Sequence, residues 1–281
     1  MNPFWQNQNV TVYKCRFQEV VKDIPADVLV VTDPPYNIGF KYDEYKDAMP
    51  DDDYIEMLCE LQKFGRVVVT HYPVETMRWV VPALGVPDAL AAWCYSANIP
   101  NRFRLVSFYG VKPDYSRIKQ PYKNPTDKRV AQLIANGSQG TNLYEWWDDI
   151  QLVKNVSDEK TAHPCPVPEA LQKRIITLCA DKGDVIFDPF GGSLTTCKAA
   201  QDLGHQSIAC ELSENYIREG VSRLAQQSLF TLPNTACSGL TTPSQFASGS
   251  AQPAAANANR WKAENESIDS LRRKPSGHDC L

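Results

Sequence analysis

The 281-residue sequence predicts an α/β fold. An apolar run over residues 26–32 has the length and composition of a buried strand and ends in Asp33-Pro34-Pro35-Tyr36. A second apolar run, inside DVIFDPFGGSLTT from Asp184 to Thr196, also meets an Asp-Pro pair, followed by two glycines that open a helix. A strand that reaches prolines has to leave its sheet, because proline has no N–H and a fixed φ. Each turn therefore sets a carboxylate at a strand's carboxyl end, where open α/β sheets hold their ligands.

The remaining elements follow in chain order. Asn9 to Tyr13 reads as a short strand, and Phe17 to Lys22 as a helical turn leading to the strand before Asp33. Asn37 to Asp53 is rich in Asp, Tyr and Lys, has no apolar period, and is too long for a simple strand–helix connection; it reads as a mobile functional loop. Asp51-Asp52-Asp53 caps a helix running to about Lys63, its carboxylates favoured by the helix dipole. Gly65 to Thr70 is another buried strand, and Met77 to Leu84 a helix stopped by Gly85. Ala89 to Ser96 and Leu105 to Val111 read as two strands, antiparallel at the sheet's edge, with Trp93, Tyr95, Phe103, Phe108 and Tyr109 as core. Residues 112–142 differ in texture: basic residues interleave with Tyr, Pro, Asn and Gly. Pro168 opens an amphipathic helix, Glu169 to Ala180, with Leu171, Ile175, Leu178 and Cys179 on one face and Gly183 ending it. Ser193 to Leu203 is a helix and His205 to Cys210 a strand with Glu211 at its carboxyl end. Residues 1–230 are expected to form the folded domain. The Ser, Thr, Ala, Pro, Asn and Gln of 231–281 cannot bury enough apolar surface to fold, so a disordered tail is expected, with a transient charged helix over 262–274.

Composition narrows the class. With 43% hydrophobic and 22% charged residues and a net charge of −4, the chain is an ordinary globular one. The charge is segregated: nine acids against two lysines from Asp33 to Glu60, and eight Lys/Arg against two Asp from Asn98 to Arg129. A local basic face suffices for nucleic acid despite the acidic total. The nine cysteines show no C-x-x-C pair and no metal-ligand spacing, so they read as small buried side chains in a reducing compartment, and no metal is expected. The longest apolar stretch, Trp79 to Ala97, contains Pro82, Gly85, Pro87 and Asp88, which argues against a membrane span.

D-P-P-Y resembles the catalytic motif of amino-methylating DNA methyltransferases, which use S-adenosylmethionine. The resemblance implies roles. An exocyclic base amine is a poor nucleophile because its lone pair is delocalised, and acceptors on its N–H groups favour the geometry in which it attacks. Asp33 and the Pro34 carbonyl, in the rigid frame of Pro35, would supply those acceptors, and Tyr36 would stack on the extruded base. Positioning and preorganised electrostatics would supply the rate, with no covalent enzyme intermediate.

The rest of the resemblance runs over residues 8–226. Lys160, His163, Pro164 and Pro168 are similar to the family's cofactor-entry motif K-x-x-H-P-x-x-x-P, with Val167 where a lysine is common. Asp188 to Thr196 resembles D-P-F-x-G-S-G-T-T, with Leu194 at the third glycine, and Glu211-Leu212-Ser213 with Tyr216 resembles the ribose-binding segment. An acid about 20 residues beyond a glycine turn is placed to bond ribose hydroxyls. The implied cofactor residues are His163, Pro164, Asp188, Pro189, Phe190, Gly191, Gly192, Ser193 and Glu211. Upstream, Cys15 and Arg16 replace the family's Gly-Asp pair.

The D-P-P-Y half precedes the cofactor half, the arrangement called the β class. The implied fold is the Rossmann-like class I methyltransferase fold: a mostly parallel twisted sheet with an antiparallel edge strand and helices on both faces. The implied substrate is double-stranded DNA, its base flipped out to reach the site. Residues 112–142 match the target-recognition insert by position, with Lys119, Lys123, Lys128 and Arg129 as phosphate contacts. Asp at the head of the motif leans to adenine N6. Cytosine N4 and a catalytically silent DNA-binding relative stand as alternatives. A protein- or RNA-amide methyltransferase usually carries Asn in place of Asp33, and the cytosine-C5 chemistry hinted at by Pro164-Cys165 would not use D-P-P-Y. A cytoplasmic enzyme of a prokaryote or phage is expected. No oligomeric state can be read, a dimer being compatible, and neither can a recognition sequence or a restriction partner.

Overall fold

The computed structural model describes residues 1–97, 101–153, 159, 161 and 163–227. Strands β1 (Trp5–Gln6), β2 (Val10–Lys14), β3 (Leu29–Thr32), β4 (Arg66–His71), β5 (Ala89–Cys94), β6 (Phe103–Tyr109), β9 (Trp146–Trp147), β10 (Val185–Asp188) and β11 (Gln206–Glu211) form one sheet, ordered β1-β2-β11-β10-β3-β4-β6-β5-β9. The two remaining strands, β7 (Lys119–Gln120) and β8 (Thr141–Asn142), pair antiparallel apart from it. From β2 to β4 every pairing is parallel; β6 then runs antiparallel to β4 and to β5. The expected antiparallel strands are present, but β5 is not the edge, because β9 pairs with it in parallel.

The helices are α1 (Phe17–Val20), α2 (Asp51–Cys59), α3 (Pro73–Glu75), α4 (Val81–Leu84), α5 (Lys128–Ala135), α6 (Glu169–Cys179), α7 (Thr195–Asp202) and α8 (Glu214–Gln227). They cover both faces. Successive strand residues point to opposite sides, so Leu29 and Val31 join Leu171 and Ile175 of α6 in one core, while Val30 joins Phe17, Tyr54 and Leu58 in another. Trp93, Tyr95, Phe108 and Tyr109 are buried as core, but Phe103, at the start of β6, is 42% exposed.

Three local expectations change. The acids Asp51, Asp52 and Asp53 occupy the first turn of α2, whose N-cap is Pro50 with no side-chain cap bond; their contribution is to the dipole alone, and Asp51 also pairs with Arg78 at 2.7 Å. Helix α6 ends at Cys179, its C-cap Ala180 already extended (φ −91°, ψ 140°), so Gly183 is not what stops it; the Ala180 carbonyl accepts Arg117 Nη1 at 2.6 Å. Residues 37–50 form an organised loop. Its buried Asp47 accepts the N–H groups of Asn37, Ile38 and Phe40, and Asn37 exchanges two hydrogen bonds with Met49. The described residues belong to one compact unit. Lys160 of the cofactor-entry motif and the expected tail, 231–281, lie outside the described residues.

Candidate active site

The two proline turns meet because β3 and β10 are parallel neighbours, with Val30 opposite Phe187. The strand order reverses there: β10 and β11 come from the end of the chain, β3 and β4 from its beginning. Such a switch point opens a crevice at the carboxyl ends of the strands. Asp33 and Asp188 both line a cleft there, holding about 1000 Å³ of empty space with its open mouth included.

Asp188 is committed to the protein. It accepts the hydroxyls of Thr32 at 2.8 Å and Thr196 at 2.6 Å and the Phe190 N–H at 3.1 Å, which fastens β3, the glycine turn and α7 together. Burial still raises its pKa. Glu211 organises the other side. Its Oε1 accepts the N–H groups of Leu212 and Ser213, and its Oε2 that of Gly192 at 2.8 Å. Burial raises its pKa against these hydrogen bonds.

Gly192 has φ +49°, which favours glycine, and a Cβ there would stand 3.1 Å from His163 Nε2, a tight contact against the imidazole. Burial lowers the His163 pKa to about 4, so the ring is neutral near pH 7. Pro189, Phe190, Gly191 and Ser193 also line the cleft, whereas Pro164 does not. Gln172, not singled out in the sequence, lines it too, with Oε1 buried and without a hydrogen-bond partner. Cys15 and Arg16 form part of the wall.

Leu194 departs from the family pattern without entering the cleft. It adopts the left-handed conformation (φ 58°, ψ 30°) and packs with Val10, Val12, Ile217 and Leu224. The space it fills is left by Gly220 of α8, where a Cβ would come within 2.7 Å of Leu194 Cγ.

At the Asp-Pro-Pro-Tyr turn, Asp33 is 17% exposed and Oδ1 accepts the Tyr36 hydroxyl. Burial pushes its carboxyl up to about 6; Arg104 and the Tyr36 hydroxyl pull it down, and Asp188 adds to the rise. The Pro35 carbonyl accepts the Tyr54 hydroxyl, whereas the Pro34 carbonyl bonds to no described residue. Asp33 and Pro35 line the cleft; Pro34 and Tyr36 lie outside its wall. Tyr36 is 8% exposed and stacked on His71, centroids 4.2 Å apart. His71 is neutral, burial lowering its pKa to about 3.

Arg104 is the site residue the sequence reading missed. It was counted with the basic stretch from Asn98 to Arg129, yet it is 7% exposed, with Nη1 3.7 Å from Asp33 Oδ2. The available signal is its register: Arg104 shares a strand face with Val106 and Phe108, so period 2 places a cation on a core-facing position. Arg117 also leaves the basic face, pairing with Asp114 and Asp181. Lys119, Lys123, Lys128 and Arg129 are exposed and ion-paired to no described residue. Lys119 is hydrogen-bonded to Asn142 across the β7–β8 pair, and Lys128 and Arg129 open α5. No group of described residues has the make-up of a metal site, and no helix among them is long and apolar enough to cross a membrane.

Comparison with known proteins agrees with this architecture. Residues 88–222 match the family model described as DNA methylase, of the N6/N4 type; the match begins after Asp33. The chain is 29% identical over 268 residues to the type II methyltransferase M.ScaI of Streptomyces caespitosus, covering 81% of this chain and 86% of that protein. It is 31% identical over 237 residues to the DNA adenine methyltransferase YhdJ of Escherichia coli K12, covering 73% and 79%. Among solved structures, PvuII DNA methyltransferase, cytosine-N4-specific, superposes with a TM-score of 0.58 at 16% identity over 83% of this chain and 90% of that one. The M1.HpyAVI–SAM complex gives 0.51 at 21% identity over 76% and 99%. At those identities the two structures speak for the fold, and the sequence relatives carry the rest: the chain belongs to the N6/N4 DNA methylase family of S-adenosylmethionine-dependent DNA methyltransferases.

Proposed function

We propose that the protein methylates the exocyclic N6 of adenine in double-stranded DNA, with Asp33 as the acceptor that orients the amine. The observation that carries the reading is the meeting of Asp33 with the Gly191–Gly192 turn and Glu211 in one cleft. The residues fit the cofactor. The glycine turn brings bare backbone to the cleft wall, Glu211 keeps lone pairs for ribose hydroxyls, and the orphaned Gln172 Oε1 offers a buried acceptor. When bound, S-adenosylmethionine would supply a sulfonium methyl to the amine nitrogen and leave as the thioether, the amine's proton passing to water. Asp33 as carboxylate and the Pro34 carbonyl accept from the amine's two N–H groups. The amine takes the place of the Tyr36 hydroxyl on Asp33, which frees the Tyr36 ring to turn towards a flipped base.

Adenine is favoured by Asp at the head of the motif and by the relative named as an adenine methyltransferase. The order of the two motifs along the chain makes it a β-class enzyme, with residues 1–230 as catalytic domain and 112–142 as target-recognition insert. The test is transfer of labelled methyl to unmethylated DNA, followed by separation of the nucleosides. Label in N6-methyladenine supports the reading; label in N4-methylcytosine moves the target base; no transfer at all sinks it. Asp33→Ala is expected to lower transfer by about 10²–10³-fold or more, as removal of a preorganised polar group does, with cofactor binding retained. Since protonated Asp33 turns an acceptor into a donor, the rate should fall as pH drops through about 6.

A further inference from the structure

Arg104 stands in surroundings that explain neither its charge nor its burial as a matter of stability. Its guanidinium carbon lies 5.2 Å from the Tyr36 ring centroid, 5.3 Å from Tyr72 and 5.2 Å from Trp93, an aromatic box behind the Asp-Pro-Pro-Tyr turn. Its Nε is buried without a partner. Burying a cation this way costs several kcal/mol, and an apolar side chain of like volume is often neutral or better. The tyrosines Tyr36, Tyr95 and Tyr72 supply part of the compensation, and the one opposite charge, Asp33, supplies the rest in an unusual geometry. At 3.7 Å the Arg104–Asp33 contact is an ion pair but too long for a hydrogen bond. The cation therefore lowers the energy of the carboxylate without occupying its lone pairs, which stay available to an amine.

We propose that Arg104 is a positioning residue of the methyl-transfer site, the fixed counter-ion that keeps Asp33 an ionised acceptor while leaving its oxygens unclaimed by the guanidinium. The inference rests on the reading of Asp33 as the acceptor. The other groups facing Asp33 do not replace it. Tyr36 and Tyr54, in the turn and on α2, are neutral phenols, as is Tyr42 of the loop, and Asp188 at the end of β10 opposes ionisation. His71 of β4 stays uncharged in this range. Arg104 is the one cation against the carboxylate among the described residues.

The experiment follows the Asp33 carboxyl directly, by carbon-13 NMR of aspartate-labelled protein, with its resonance identified by its loss in Asp33→Asn. Wild type, Arg104→Met and Arg104→Lys are titrated, and the pH dependence of kcat for methyl transfer is measured on the same samples. Removing a close opposite charge raises a carboxyl pKa by roughly 1–3 units. The Asp33 midpoint in Arg104→Met should therefore rise by about one unit or more, Arg104→Lys should fall between, and the acid limb of kcat should move with the midpoint. A merely structural arginine would change the rate without moving either. An unmoved midpoint in folded Arg104→Met, or a moved midpoint with an unmoved acid limb, overturns the proposal. Should the methionine variant fail to fold, Arg104→Gln, which also removes the charge, takes its place, and an unmoved midpoint there overturns the proposal as well. Wild-type transfer by Asp33→Asn would instead remove Asp33 from the chemistry, and the reading of the site would fall with the inference; an inactive Asp33→Asn with unmoved midpoints defeats the inference alone.

Discussion

Leu194 shows how a departure from a family pattern can be absorbed by one other residue. A leucine in the left-handed region carries a steric cost of about 1–2 kcal/mol that glycine avoids. The return is a buried side chain in the core between β2, β11, α7 and α8. That return exists only because residue 220 has no Cβ: an alanine there would bring its Cβ to 2.7–2.9 Å from Leu194 Cγ, Cβ and Cδ1. Gly220→Ala alone should therefore destabilise by about 1–3 kcal/mol through overpacking. Leu194→Gly should lose core packing and regain the backbone cost. Combined, the two changes should be less harmful than their sum by about 1 kcal/mol or more, because they share one contact. Urea unfolding of the four proteins tests it, and strict additivity refutes the coupling. Cofactor affinity in Leu194→Gly should stay near wild type, since the side chain is not part of the cleft wall.

Among the elements, the loop between β3 and α2 is the one that meets the cleft from outside. Tyr42, Glu44 and Tyr45 line it, and the loop is strapped to the far wall: Asp43 Oδ2 accepts Ser213 Oγ and Asn215 Nδ2, both at 2.8 Å, and its N–H donates to the Tyr216 hydroxyl. Hydrogen bonds to the Asp43 carboxylate lower its pKa. Ser213 and Tyr216 are cleft residues themselves, so the strap joins the loop to the Glu211 side of the cleft. Asp43→Ala should speed cofactor release by about tenfold, the order expected for a lost charge-assisted hydrogen bond, while Asp47→Ala, which orphans three backbone N–H groups, should disturb the loop more. Stopped-flow displacement reads both, and an unchanged off-rate in Asp43→Ala would show that the strap does not gate release. This loop marks the limit of what the sequence disclosed. Its length and polarity signalled function, and the strands ending in Asp33 and Asp188 were legible because apolar runs that stop at proline have few readings. The strap was not, since Asp43 and Ser213 lie 170 residues apart and acquire their meaning from the sheet order. The same holds for Arg104, which composition assigned to a basic face and which strand register turns inwards.

At the scale of the whole molecule, the question is how a chain of net charge −4 holds a polyanion. The answer has to be local. Three of the eight cations from Asn98 to Arg129 sit on one polar excursion, at Lys123, Lys128 and Arg129, all exposed and ion-paired to no described residue. Asp127 caps α5 by accepting the N–H groups of Arg129 and Val130, and so is turned back onto the helix it starts. Every residue of α5 except the half-buried Val130 is exposed, Leu133 and Ile134 included, so the helix presents its side chains outwards. If this excursion carries the DNA, affinity there is set by counterion release, and each phosphate contact adds about 0.9 to the slope of log K against log salt. Replacing Lys123, Lys128 and Arg129 together by Gln should then lower that slope by about 2 to 3. The weakening should be strongest at low salt and nearly equal for specific and non-specific duplexes, because phosphate contacts carry no sequence information. Binding of S-adenosylmethionine should not change, since none of the three lines the cleft. A salt slope equal to that of the wild type would move the DNA surface elsewhere on the molecule.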